Sequence, residues 1–283
     1  MLPAEPGTGA DAFQRPLRSR FQARLTAGVS CLEEDENMDI HNPGEQKRYP
    51  PTEENYLRYL LYLPSKFKDL PEKRWPVLCF LHGAGQAVKN STGNEQPLDV
   101  LMNHGAPPWH CEINSPLIRD FIVLSPQLPT RRQWEQPDFE KVENILRTIY
   151  NSFRGDPAKT YLTGFSFGGK GVFDFAAWAE ELSKKDPSKV VSWAALWPVD
   201  DAHAQARPSC SVKRIWLHFG TWKPDPQKST AMNLGLTQAE TFRNGYPKTD
   251  GLYTDYTPFG YDHTTTCAVS YADWRVYEWL LIP

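Results

Sequence analysis

No apolar stretch in the sequence approaches the roughly 18 residues that a membrane-crossing helix needs, and the N-terminus lacks the long apolar region of a secretory leader. There is no internal repeat and no low-complexity tract. Basic charge is not in excess: 31 Lys and Arg stand against 34 Asp and Glu, for a net charge of −3 and a pI near 6.2. That balance removes the electrostatic footprint of a nucleic-acid binder. Cysteine is sparse, odd in number and without a C-x-x-C pair: Cys31, Cys79, Cys111, Cys210 and Cys267. Free thiols in a reducing, cytoplasmic compartment are expected rather than bridges, with Cys79 buried in an apolar run. Metal ligands are also thin. Asp201 and His203 lie close together but have no third partner, so neither a metal nor any other cofactor is expected.

What is present is an ordinary globular composition, 40% hydrophobic and 23% charged, with 18 Gly and 25 Pro implying many turns. Residues 12–32 carry Arg15, Arg18, Arg20 and Arg24 without an acidic residue, and Glu33 to Glu36 form an acidic patch. The favoured reading is a basic surface arm. An organelle transit segment is the other reading, weakened by Glu5 and Asp11. Residues 1–54 therefore read as an irregular N-terminal extension and 55–283 as one folded domain.

Within that domain strands and helices alternate. Strands are expected at Tyr56–Leu63, Val77–Leu81, Phe121–Leu124, Thr160–Thr163, Val190–Trp197, Ile215–Phe219 and Leu252–Tyr256. The continuous apolar run Val77–Leu81 suits a strand covered on both faces. From Asp138, the residues Val142, Ile145, Leu146, Ile149, Tyr150 and Phe153 make one apolar helical stripe. Further helices are expected at 170–182, 237–244 and 271–281. This order implies an α/β fold with a mostly parallel sheet and helices on both faces. In such sheets the site lies beyond the carboxyl ends of the strands.

Three strand ends carry chemistry. Gly164-Phe165-Ser166-Phe167-Gly168 follows a strand and precedes a helix, the context in which a G-x-S-x-G serine sits exposed on a sharp turn. Ser166 is the candidate nucleophile. His82-Gly83-Ala84-Gly85 follows Val77–Leu81, and the backbone N–H groups of Ala84 and Phe167 are the candidate oxyanion hole, with His82 structural. His263, on the loop between the last strand and the last helix, is the candidate base. For the acid the residues leave two sources. Asp225 is the first carboxylate after Ile215–Phe219 and is preferred; Asp200 and Asp201, after the preceding strand, are its rivals, expected farther from His263. Gln127, Trp109, Trp134, Trp197 and Trp222 lie near strand ends and are candidate substrate contacts.

Four stretches, "VLCFLHGAGQ" (77–86), "FIVLSPQLP" (121–129), "KTYLTGFSFGGKGVFDFA" (159–176) and "GYDHTTT" (260–266), resemble the serine esterases of the dienelactone-hydrolase-like and phospholipase/carboxylesterase-like families of the α/β-hydrolase class. The resemblance runs from about Tyr56 to the C-terminus. It implies a serine hydrolase cleaving a small-molecule carboxylic ester or thioester, with Ser166, Ala84 with Phe167, and His263 in the family's nucleophile, oxyanion and base positions. The chain departs from those relatives in three places. Phe167 stands where they often have Met, Trp222 and Lys223 intervene before Asp225, and the first 50 or so residues have no counterpart. A peptidase of the prolyl-oligopeptidase type is a second reading, without the propeller-like repeats of its large forms. A non-catalytic binding module is a third, against which stands a candidate for every triad role.

Overall fold

A computed structural model describes residues 42–52, 57–186, 192–200, 211–220 and 252–282. The chain divides into Met1–Ile40 and His41–Pro283, and the described residues belong to the second unit. The helix expected over 237–244 lies outside the described residues.

The described strands are β1 (Gln46–Tyr49), β2 (Arg58–Tyr62), β3 (Trp75–Leu81), β4 (Ile122–Gln127), β5 (Gly155–Phe165), β6 (Ala195–Val199), β7 (Trp216–Phe219) and β8 (Leu252–Asp255). They form one sheet in the order β1-β2-β4-β3-β5-β6-β7-β8. The pairs β1/β2 and β2/β4 are antiparallel, and every pair from β4 to β8 is parallel. The mostly parallel α/β sheet is as expected. β1 is a correction: Gln46–Tyr49 falls in the stretch the sequence marks as irregular extension, yet it pairs with β2 from Gln46↔Tyr62 to Tyr49↔Tyr59. An edge strand half in solvent needs no apolar run, and Lys47 and Arg48 hide it from a hydrophobicity reading.

The helices are α1 (Pro107–Glu112), α2 (Gln136–Ser152), α3 (Phe167–Lys185), α4 (His263–Tyr271) and α5 (Trp274–Leu281). The last helix, expected over 271–281, is α5; it starts at Trp274, where Asp273 caps it by accepting from Arg275 N–H at 3.1 Å, and α4 ahead of it was not expected. All seven residues of β3 are buried, and their alternation explains the layers. Val77, Cys79 and Leu81 pack with Val142, Leu146, Val172 and Phe173 of α2 and α3. Leu78 and Phe80 pack with Cys111, Cys267, Tyr271 and Tyr277 of α1, α4 and α5. Each such aliphatic side chain contributes on the order of 2 kcal/mol when withdrawn from water. Cys79, Cys111 and Cys267 are buried free thiols, each with its pKa pushed up by burial. Among the described residues no helix is long and apolar enough to cross a membrane.

Two histidines are built into this core as neutral rings. His82 ends up behind the β3 loop; its Nε2 accepts from Leu128 N–H at 2.9 Å, so the proton sits on Nδ1, 2.7 Å from Gly83 O. Burial lowers its pKa to about 4. His218 in β7 lies among Trp197, Trp216 and Tyr256, and burial lowers its pKa to about 3. An unfolded histidine binds its proton near the ordinary value of 6.5. Between that value and about pH 4 the unfolded chain therefore holds more protons than the folded one, and stability falls as pH drops. We expect the unfolding free energy from urea titration to be lower at pH 5 than at pH 7, by about 2 kcal/mol for each ring. An unchanged urea midpoint would contradict neutral burial of both.

Candidate active site

The site is assembled where β3, β5 and β6 end. β5 stops at Phe165, α3 starts at Phe167, and Ser166 between them takes φ 59° and ψ −115°. The turn can be this sharp because its neighbours lack side chains. A Cβ on Gly168 would lie 1.8 Å from Leu81 O, and one on Gly164 would lie 2.4 Å from Gly168 O. The start of α3 can thus press directly on the end of β3. Ser166 N–H donates to Val199 O at 3.0 Å, which fastens the turn to the last residue of β6.

The next residue along β6 is Asp200. It adopts φ 44°, and its backbone N–H donates to His218 O at 2.7 Å. Its side chain, almost wholly buried, is hydrogen-bonded through Oδ2 to Nδ1 of His263. His263 is the first residue of α4; Asp262 caps that helix by accepting from Thr265 N–H at 2.8 Å. The His263 ring lies on Phe165, 4.3 Å between centroids. Of the five non-glycine residues with positive φ among the described residues, Ser166, Asp200 and His104 stand around this one place. Strained backbone gathers at functional sites because the surrounding structure can hold it there.

Gly83, Ala84, Gly85, Gln86, His104, Arg131, Phe165, Ser166, Phe167, His263 and Thr264 line a cleft of about 250 Å³. Ser166, His263, Ala84 and Phe167 are thus brought together, as the sequence reading grouped them. A larger hollow of about 810 Å³ under Tyr256, Tyr261 and Trp274 contains neither Ser166 nor His263. Its size does not make it the site, because among its described lining residues no nucleophile and base converge.

The acid and the expected substrate contacts turn out differently. Asp225 and Trp222 lie outside the described residues, as do Asp201 and His203. The carboxylate on His263 Nδ1 is Asp200, which corrects the expectation that Asp200 stands farther from the ring. Trp134 and Trp197 are fully buried and are not pocket walls. Trp134 donates from Nε1 to His82 O at 3.0 Å and packs against Gly171 of α3. Trp197 sits inside β6 between Tyr271 and Tyr277. Trp109 is exposed on α1 and does not line the cleft. Gln127 is also fully buried, so it has no surface to offer a substrate. Its Nε2 donates to Gln86 O at 2.8 Å, and its Oε1 accepts from Arg58 Nε at 2.6 Å.

Gln127 instead belongs to a scaffold that the sequence reading missed. Gln86 Oε1 accepts from Gly83 N–H at 3.1 Å, and its Nε2 donates to the carbonyls of Val100 and Leu101 at 3.1 and 3.2 Å. One buried amide therefore ties the Gly83–Gly85 loop to the segment carrying His104. His104 was also missed. It has its pKa lowered, first by burial and then by His263. The local signals were a glutamine three residues past Gly83 and the turn-forming Asn103-His104-Gly105, neither of which is specific.

No protein-family model matches the sequence, and no curated protein sequence matches it. Solved structures do. A thermostable esterase is 22% identical with a TM-score of 0.55, covering 83% of this chain and 62% of that one, so this chain spans under two thirds of its length. A ferulic acid esterase is 14% identical with a TM-score of 0.54, covering 83% of this chain and 98% of its own. FphF, a fluorophosphonate-binding serine hydrolase of Staphylococcus aureus, is 11% identical with a TM-score of 0.55, covering 84% and 98%. At these identities the likeness is one of architecture, and together with the sheet order it establishes that this chain has the α/β-hydrolase fold.

Proposed function

We propose that the chain hydrolyses carboxylic esters or thioesters of small molecules through an acyl-enzyme on Ser166. The observation that carries this reading is the hydrogen bond that His263 Nδ1–H donates to Asp200 Oδ2, with His263 and Ser166 lining one cleft. A carboxylate on Nδ1 fixes the proton there and leaves Nε2 as the basic nitrogen. Nε2 takes the Ser166 proton as Oγ attacks the carbonyl carbon. The oxyanion is held by the N–H groups of Ala84 and Phe167, the latter at the positive end of α3. Collapse of the tetrahedral intermediate breaks the bond to the alcohol or thiol, which leaves with the proton from Nε2. Water, activated by the same nitrogen, then releases the acid. The solved structures named above include esterases and a serine hydrolase, in keeping with this chemistry.

The test is covalent labelling. A fluorophosphonate should add one phosphonyl group to the native chain, and peptide mass spectrometry should map it to Ser166. Preincubation with a nitrophenyl ester should slow the labelling. A folded chain that is neither labelled nor able to hydrolyse a nitrophenyl ester would overturn this reading in favour of a binding module.

A further inference from the structure

Among the described residues, the cleft is lined by one permanently charged cation and no carboxylate. Of its described lining residues none is Asp or Glu, and the single Lys or Arg is Arg131. Among the described residues, Asp200 is engaged by His263, and Asp262 by Thr265 N–H and the Thr264 hydroxyl.

Arg131 differs from its neighbour in a telling way. Arg132 is anchored, its guanidinium held by the buried Asp138 at 2.5 and 2.7 Å and by Gln133 O at 2.9 Å. Asp138 in turn accepts from Glu135 N–H at 3.1 Å at the start of α2. On the other side, Thr130 bridges to Lys89, and Val88 and Lys89 donate to Leu128 O and Pro129 O at 2.8 and 3.2 Å. The backbone of Arg131 is therefore fixed from both directions, against the loop that carries Ala84. Its guanidinium is exposed and, among the described residues, no carboxylate or carbonyl accepts from it. Arg132 has its acceptors; Arg131 lines the cleft where Ser166 lies.

We propose that Arg131 is a specificity-determining residue that selects ester or thioester substrates carrying a carboxylate or similar anionic group a few bonds from the scissile carbonyl. The inference rests on the hydrolase reading above. A guanidinium binds a carboxylate through two parallel N–H donors, which orients the substrate as well as attracting it. An arginine beside a cleft whose described lining holds no Asp or Glu also raises the local concentration of anions, and salt weakens that attraction.

The experiment compares matched nitrophenyl esters: the neutral butyrate, the mono-ester of glutarate, whose anion lies on the acyl side, and the butyrate of a carboxy-nitrophenol, whose anion lies on the leaving group. Native protein should hydrolyse at least one anionic ester with kcat/KM about tenfold above the neutral one at low salt, and the margin should shrink in 0.5 M NaCl. Arg131→Gln should remove that margin while leaving the neutral ester within about twofold. Arg131→Lys should keep part of it, and Arg131→Glu should reverse it. Which anionic ester responds assigns the side of the cleft. Equal kcat/KM for all three esters, or a margin that survives Arg131→Gln, overturns the inference. No hydrolysis of any ester together with no phosphonylation of Ser166 would instead overturn the hydrolase reading.

Discussion

Ser166→Ala should lower ester turnover by about 10⁴-fold or more and leave the chain folded. The size follows from the role. In the proposed mechanism, loss of Oγ leaves no nucleophile to form the acyl-enzyme, and what would remain is stabilisation of the oxyanion by the Ala84 and Phe167 N–H groups during attack by water. The folded state should be nearly untouched, since the side chain removed is small and the hydrogen bonds that fix the turn are made by the backbone. Ser166→Gly sharpens the test. Glycine tolerates the positive φ that serine bears here at a cost of about 1–3 kcal/mol. The glycine variant should therefore be as inactive as the alanine variant and melt at least as high as the native chain, despite glycine's greater unfolded-state entropy. Nitrophenyl ester kinetics and thermal melting check both statements. Native-like turnover in either purified variant would remove Ser166 from the mechanism. A large fall in the melting temperature of Ser166→Gly would mean that the turn is held by the side chain rather than by the packing of Gly164 and Gly168.

The parts legible in the sequence were those set by continuous local patterns. β3 declares itself because a strand covered on both faces must be apolar throughout, and α2 because its stripe repeats at the helical period. That Ser166 and His263 line one cleft was legible because each follows a strand of a parallel sheet, whose carboxyl ends lie together. Less was legible where a residue's job depends on contacts distant in sequence. Trp134 and Trp197 follow strand ends on paper, yet both face inwards, and no periodicity reports which way one side chain turns. Gln127 has the polarity of a substrate contact but spends its hydrogen bonds on Gln86 and Arg58. Chain order favours Asp225 in the sequence, as the first carboxylate after Ile215–Phe219, and does not single out the end of the strand before it. That strand, expected over Val190–Trp197, is β6 at Ala195–Val199, and Asp200 is the first residue beyond it. Since β6 pairs directly with β5, a residue one step past its end stands next to the serine turn.

That position makes Asp200→Asn the second large effect. Asparagine matches aspartate in shape and also tolerates a left-handed backbone, so φ 44° at this position is retained and the fold with it. What changes is the proton on His263. A carboxylate only accepts, and so keeps the proton on Nδ1; a carboxamide can present its NH₂ instead and stabilise the tautomer protonated on Nε2. In that tautomer the nitrogen meant to take the Ser166 proton already carries one. The imidazolium formed during attack also loses the adjacent negative charge. Together these should lower kcat by about 10²- to 10⁴-fold with KM within about threefold, because the substrate touches neither atom. The effect on phosphonylation should be parallel, with Ser166 labelled far more slowly by the fluorophosphonate. Asp225→Asn and Asp201→Asn, made alongside, should each leave kcat within a few-fold of the native value. If Asp225→Asn is the variant that loses kcat while Asp200→Asn keeps it, the acid belongs to the segment after β7, and the hydrogen bond between Asp200 and His263 serves to hold α4 against β6 rather than to set the tautomer.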